Sequence, residues 1–168
     1  LVYKARKSVH WCLSCKTALA EAEIEYEENH VSPSVDVRFP LSAAGRAALS
    51  LKTMALGDRK VHAITWTTTP WTLPANRALA FNPELEYGLY EESPGGPVAI
   101  LAAGLKDATI SRSRTVQALT LGEPLATIKG DVFEGLDFSH PWIDRPSPGV
   151  LADYVTLDAG TGIVHTAP

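Results

Sequence analysis

Seven short apolar runs, none longer than eight residues, set the terms on which this chain can fold. They are "AEAEIEY", "VDVRF", "VHAITWTT", "EYGLY", "VAILA", "LATIKG" and "YVTL", each set off by Pro, Gly, Ser or Asn. Runs of that length with period-two alternation read as strands. In "TALAEAEIEY" the residues Ala18, Ala20, Ala22, Ile24 and Tyr26 alternate, which favours a strand over a helix despite the Ala and Glu content. Only "LSAAGRAALSLKTM" and "GLKDATISRSR" read as helices, while "ESPGGP" reads as a hairpin loop and "RPSPG" as a turn. The predicted fold class is therefore mainly β (α+β): a closed or strongly curved β-barrel with a few short helical insertions. A nucleotide-binding βαβ fold fits poorly, because "DAGTG" lacks the third glycine and the helix of a dinucleotide fingerprint. No P-loop, H-E-x-x-H or G-x-S-x-G occurs.

The 168 residues suffice for a core, and 45% hydrophobic with 20% charged residues suits a soluble globule. No apolar run approaches the ~20 residues of a membrane helix, and "LVYKARKSVHW" has no apolar signal core. The expectation is a cytoplasmic protein with no membrane partner. A net charge of -4 argues against strong autonomous binding of nucleic acid, which draws on many Lys and Arg contacts. The basic cluster of Lys4, Arg6, Lys7 and Lys16 reads as solvated surface. Cys12 and Cys15, in "HWCLSCK", are too few for a disulfide scaffold. Before a strand such a C-x-x-C suits half a zinc site better than a redox pair; two reduced thiols without metal is the other reading. The chain opens inside a strand-like run and closes on "TGIVHTAP", as expected of a domain excised from a longer protein.

One run departs from strand chemistry. "WTTTPWTLPAN" sets three hydroxyls between two tryptophans and then a proline. Alternation puts Ile64, Trp66 and Thr68 on one face and Thr65, Thr67 and Thr69 on the other. Pro70 removes a ladder donor and holds Thr69 extended, so the strand is expected to end at Thr69 with Thr67 and Thr69 at its rim. Two readings stay open on these grounds. Threonine simply favours strands, or the rim forms a small polar pocket with Trp71 as an apolar wall and Asn76 as a further polar group.

"WTTTPWTLPAN" resembles the threonine-rich segment of the editing domain inserted in isoleucyl-tRNA synthetases. "HWCLSCKTALAEAEIEY" is similar to the segment leading into that domain, and "LDAGTGIVHTAP" to one near its end. The three matches keep family order over nearly the whole chain. The resemblance implies the editing-domain fold shared by the valyl, isoleucyl and leucyl enzymes, and a hydrolase that cleaves valine from the isoleucine tRNA. Valine lacks one methylene of isoleucine, a difference worth only about 1–3 kcal/mol, for which this enzyme class is itself the standing illustration. A second pocket, too small for isoleucine, supplies the remaining selectivity.

By the same resemblance, Thr67, Thr68 and Thr69 contact the aminoacyl group and the terminal ribose, and Trp71 flanks the valine side chain. Asn76 holds the threonine loop or the substrate, and His165 walls the side-chain pocket. Gly160 and Gly162 let the backbone approach the adenosine end, although alone they read as a tight turn. No catalytic side chain is assigned: water attacks the ester, and "LDAG" around Asp158 reads as a turn. The implied partners are the tRNA(Ile) 3′ end carrying valine and the remainder of the synthetase. The expected organisation is a leading segment, 1–26, with the C-x-x-C half-site, and an editing barrel, 27–168. The Asp that follows the family's "HxAPGHG" lies past Pro168, which makes a non-catalytic aminoacyl-end binder the alternative. The family's "HIGH" and "KMSKS" motifs and its second cysteine pair also lie outside this sequence. No cofactor is therefore expected in this segment, whereas ATP, and zinc at a site that includes Cys12 and Cys15, belong to the full-length enzyme.

Overall fold

The run "VHAITWT", buried at six of its seven residues, becomes the strand around which the larger sheet is organised. The computed structural model describes residues 8–53, 56–112 and 121–168. Lys4, Arg6 and Lys7 lie outside these residues, as do the ends of both expected helices at Met54 and at 113–114. The chain divides into two compact units, Leu1–Ser32 and Pro33–Pro168.

In the first unit β1 (Trp11–Cys12) and β2 (Thr17–Ala18) form a two-stranded antiparallel hairpin. The turn closes through Lys16 N–H donating to the Cys12 carbonyl at 2.8 Å, with Lys16 at φ 55°. The expected strand "AEAEIEY" does not form; Glu21–Glu23 is a 3₁₀ turn instead. Its alternate alanines offer little apolar area, and local bonds win. Ala20 N–H donates to the Glu23 carboxylate at 2.7 Å, and the Tyr26 hydroxyl donates to Glu21 at 3.2 Å.

The second unit holds two sheets. The larger has the order β3-β4-β7-β6-β8, from β3 (Val35–Pro40), β4 (Val61–Thr67), β6 (Glu86–Glu91), β7 (Val98–Ala102) and β8 (Ala126–Lys129). The smaller has the order β11-β5-β10-β9, from β5 (Ala78–Phe81), β9 (Asp137–Ser139), β10 (Pro146–Leu151) and β11 (Ile163–Thr166). Helix α1 (Ala43–Thr53) connects β3 to β4, and α2 (Lys106–Arg112) follows β7. Phe39, Phe81, Tyr87, Phe133 and Phe138 are fully buried in one core. Phe81 of the smaller sheet stacks on Phe133 at 4.4 Å and meets Tyr87 of the larger sheet edge-on at 5.4 Å. Each such ring contributes about 1.5–3 kcal/mol on burial.

The closed or strongly curved barrel expected from the strand pattern is not what forms: no closed barrel is present. The strands form separate sheets in a mixed α+β arrangement. Closure needs the two edge strands of one sheet to pair. Among the described residues edge strands β3 and β8 pair only inward, with β4 and β6. A single bridge, Leu41 to Phe138, links the end of β3 to β9. The ladder also breaks open within the larger sheet. β4 runs parallel to β7 over only Val61–Ala63 and Val98–Ile100. Beyond Ala63 the gap is entered by the segment before β11: the Ala102 amide donates to the Thr161 carbonyl at 2.9 Å.

Two further expectations fail locally. "YVTL" is no strand, because Asn82 supplies its backbone partners: Nδ2 donates to the Val155 carbonyl at 2.8 Å. "RPSPG", expected as a turn, contributes to β10. Alternate residues aim their N–H groups to the same side, so Pro146 and Pro148 remove donors on one side only. There β5 pairs from Gly149 onward.

Gly162, at φ +72°, marks a close approach to β7. A Cβ there would lie 2.3 Å from the Ala102 Cβ. Its carbonyl accepts a 2.8 Å hydrogen bond from the Tyr87 hydroxyl, whose pKa burial pushes up to about 12 against the opposing pull of the Asn82 amide. Gly162→Ala should therefore cost about 2 kcal/mol or more, from left-handed strain and overpacking together. A urea denaturation midpoint unchanged from wild type would contradict this packing.

Candidate functional site

The threonine run leaves the ladder two residues earlier than expected. β4 ends at Thr67, because the Thr67 hydroxyl accepts the Thr69 amide N–H at 3.0 Å. A side chain that takes the next backbone donor substitutes for a ladder partner. Pro70 then opens a 3₁₀ turn, Pro70–Ala75, at a position where its missing N–H costs nothing. That turn carries Thr72 back toward the rim, three residues after Thr69. Thr67 Oγ1 and Thr69 Oγ1 lie 3.1 Å apart, and Thr69 Oγ1 and Thr72 Oγ1 3.5 Å apart.

β11 brings His165 to this cluster. It pairs antiparallel with β5, with His165 opposite Leu79, and its Nε2 lies 3.2 Å from Thr72 Oγ1. The proton positions follow from the network. Thr72 has one hydroxyl proton and donates it to the Thr69 carbonyl at 2.7 Å. It therefore accepts from His165, whose proton sits on Nε2. Nδ1 is then a buried acceptor with no hydrogen-bond partner among the described residues. A second proton there would be buried without an acceptor. Accordingly burial, and secondarily the neighbouring His140 imidazole, hold the His165 pKa below its ordinary 6.5. Because Nε2 already carries a proton, His165 cannot deprotonate Thr72 through it. The pair is no nucleophile–base couple.

The turn is fastened from beneath. His140 Nδ1 accepts the Ile143 amide at 3.2 Å, leaving Nε2–H to donate to the Leu73 carbonyl at 2.9 Å. Arg145 donates to the Pro74 carbonyl at 2.7 Å. Asn76 is fully buried; its Oδ1 accepts the Ser147 hydroxyl at 2.5 Å and its Nδ2 donates to the Ala78 carbonyl at 3.0 Å.

Of the residues expected at a site, Thr67, Thr69 and His165 are thus joined through Thr72. Thr68 lies beside them, exposed at the rim. Trp71 is 70% exposed. Gly160 and Gly162 line an adjacent cavity of about 270 Å³ with Trp66, Thr161 and Asp158. There the Gly160 carbonyl accepts from Thr109 and Arg112 at 3.3 and 3.2 Å. Cys12 and Cys15 are free thiols. The Cys15 amide donates to Cys12 Sγ at 3.3 Å, and that bond chiefly holds the Cys12 thiol pKa below its usual value. Two thiols supply half of a tetrahedral zinc site. Among the described residues no third Cys, His or acidic ligand joins them. Sequence reasoning did not single out Thr72, His140 or Ser147. Thr72 had a signal in its i+3 spacing from Thr69 after a proline. His140 and Ser147 had none, since their partners lie 67 and 71 residues away.

The family model for tRNA synthetases class I (I, L, M and V) matches residues 1–147. Along 99% of its length the chain is 46% identical to isoleucine–tRNA ligase of Haemophilus influenzae and 44% identical to that of Pseudomonas aeruginosa. It spans about 17% of the length of these relatives. Its fold matches GlLeuRS-CP1 at a TM-score of 0.67 and 17% identity, covering 81% of this chain and 55% of that one. It also matches the Plasmodium knowlesi cytosolic leucyl-tRNA synthetase editing domain at 0.62 and 12% identity, covering 85% and 62%.

Two outcomes test this geometry. Asn76→Ala strands the Ser147 hydroxyl in the core and should cost about 2–3 kcal/mol in urea unfolding. The depressed His165 pKa gives a pH window as well. Between the folded value and 6.5 the unfolded chain holds the extra proton. This residue's contribution to stability is therefore complete above 6.5 and is lost as pH falls toward the folded value. Imidazole NMR should give a His165 midpoint below 6.5, and the drop in stability between pH 7.5 and 5 should shrink in His165→Gln.

Proposed function

The chain belongs to the class I tRNA synthetases, and on that premise we propose that it is an editing module that hydrolyses valine from mischarged tRNA(Ile), with valyl-adenylate as a second substrate. The identity to isoleucine–tRNA ligases and the fold shared with leucyl editing domains support this reading. The observation that carries it is the network of Thr67, Thr69, Thr72 and His165. It is a set of polar groups held in place before any ligand arrives, with no activated side-chain nucleophile among them.

In this reading Thr67, Thr68 and Thr69 contact the aminoacyl group and the terminal ribose. Trp71, exposed at the rim, is covered by the valine side chain. Of the two roles open to Asn76, its buried bonds favour holding the threonine turn. His165 walls the side-chain pocket, and the cavity at Gly160 and Gly162 takes the adenosine end. Water adds to the ester carbonyl, and the ribose oxygen leaves with a proton. The protein's share is orientation and fixed dipoles, which need no reorganisation at the moment of reaction. The partners are the tRNA(Ile) 3′ end and the remainder of a synthetase, which supplies the ATP chemistry, in the cytoplasm. The leading segment, 1–26, precedes the editing portion, 27–168. Cys12 and Cys15 supply the half-site for zinc in the complete enzyme.

One observation favours a second reading, a binder of aminoacyl ends without turnover. Among the described residues no carboxylate hydrogen-bonds to any member of the network. A deacylation assay separates the two. This chain should release valine from Val-tRNA(Ile) well above the buffer rate and leave Ile-tRNA(Ile) intact; tight binding without release defeats the hydrolase. In the complete synthetase, Thr69→Trp should let Val-tRNA(Ile) accumulate while isoleucylation is unchanged. His165→Ala should raise cleavage of Ile-tRNA(Ile) on the order of tenfold, the factor equivalent to ~1.4 kcal/mol. Intact Ile-tRNA(Ile) in that variant removes His165 as the size gate.

A further inference from the structure

The opposite end of β4 carries a larger cavity. Thr67 closes the threonine end of the strand, and Val61 and His62, about 20 Å away at the usual strand rise, line a cavity of about 660 Å³. That size is typical of small-molecule sites. Pro40, Leu41, Val61 and Pro97 give it apolar walls. Arg38, Arg46 and Lys60 bring three positive charges against one carboxylate, Glu92. In a chain of net charge -4 this is a local excess of cation.

The charges at its base are fixed. Glu92 Oε1 accepts from Arg38 Nε at 3.0 Å and from His62 Nε2 at 2.7 Å, with His62 nearly buried. Burial raises the Glu92 pKa, but these two partners outweigh it and keep the group ionised. Glu92 therefore engages Arg38 through Nε alone, and no hydrogen bond within the described residues takes the two terminal guanidinium nitrogens. Arg46 is oriented by the carbonyls of Asp58 and Arg59 at 2.9 and 3.4 Å. Lys60 is exposed; its carbonyl accepts the Val98 amide at 2.8 Å, while its ammonium has no ion pair or hydrogen bond among the described residues.

We propose that this cavity is a second ligand site, separate from the threonine cluster, for a small organic anion: a carboxylate or phosphate head on Lys60 and Arg38, with an apolar body against Pro40, Val61 and Pro97. A bare nucleic-acid backbone matches the cations but leaves the apolar walls unused, since such contacts go to charge and to aromatic stacking. None of the ten lining residues is a Phe, Tyr or Trp.

The test is an amide NMR titration of the 168-residue chain with hexanoate, hexyl phosphate, hexylamine, inorganic phosphate and a hexauridylate. Hexanoate or hexyl phosphate should shift the Val61, His62 and Ala43 amides saturably, and the tighter of the two identifies the head. Lys60→Glu should weaken that binding on the order of tenfold or more, whereas Thr72→Val should leave it unchanged. Lys60 is exposed and its ammonium unpaired, so this variant keeps the fold, which its unshifted core amides verify. Equal response to hexylamine, or binding indifferent to Lys60→Glu, overturns the proposal. Inorganic phosphate as tight as hexyl phosphate refutes the apolar contribution. Displacement of hexanoate by hexauridylate at lower concentration makes the groove an RNA contact and also overturns it.

Discussion

Much of this molecule follows from one constraint: β4 and β7 stay paired for three residues and then part. What holds them apart is the segment before β11. The Thr161 carbonyl takes the Ala102 amide, and Gly162 packs where no side chain fits beside Ala102. With a foreign segment wedged into it, the larger sheet cannot curl into a cylinder. The same wedge carries His165 to the end of β4, where the threonines leave the ladder. The paired end of the strand is left to line the cationic cavity. Two surroundings of different chemistry, a threonine rim and a cationic cavity, thus share one strand because its neighbours differ along its length.

The sequence made the larger sheet legible and the smaller one obscure. β3, β4, β6, β7 and β8 are apolar runs with clear breakers, and each stands where alternation places it. β10 was hidden because its two prolines signal a turn, yet they pair with β9 and fall where β5, on the other side, has not begun to pair. "AEAEIEY" had the right period and too little apolar area, so a carboxylate on a backbone amide decided its shape. The expected barrel failed for a related reason: strand count and length do not say where a ladder opens. At the candidate site the threonine rim was readable, but the exit at Thr67 was not. That exit depends on which acceptor captures one N–H, a contest of single hydrogen bonds that no periodicity records.

Hydrogen-bond direction sets what the threonine cluster can do. Thr72 has a single proton, directed at the Thr69 carbonyl, and this fixes the His165 tautomer and leaves Nδ1 as an unused acceptor. A cluster ordered in this way presents fixed dipoles. It does not present an alkoxide in waiting. Water as the attacking group in the proposed reaction is consistent with that order, since the Thr72 hydroxyl proton already serves the fold.

The fastening of the 3₁₀ turn has a mechanical meaning. Its Leu73 and Pro74 carbonyls are gripped by His140 and Arg145, and Asn76 is bolted to Ser147 on the neighbouring strand. Both strands flanking that grip belong to the smaller sheet, so the loop inherits the low compliance of a packed core. In the proposed reading, this surface tells two aliphatic groups apart by a single carbon, and a yielding surface could not do so. If it yielded, the larger group would push in at little cost. On that proposal, stiffness beneath the threonines, more than the threonines themselves, would turn a polar rim into a gauge.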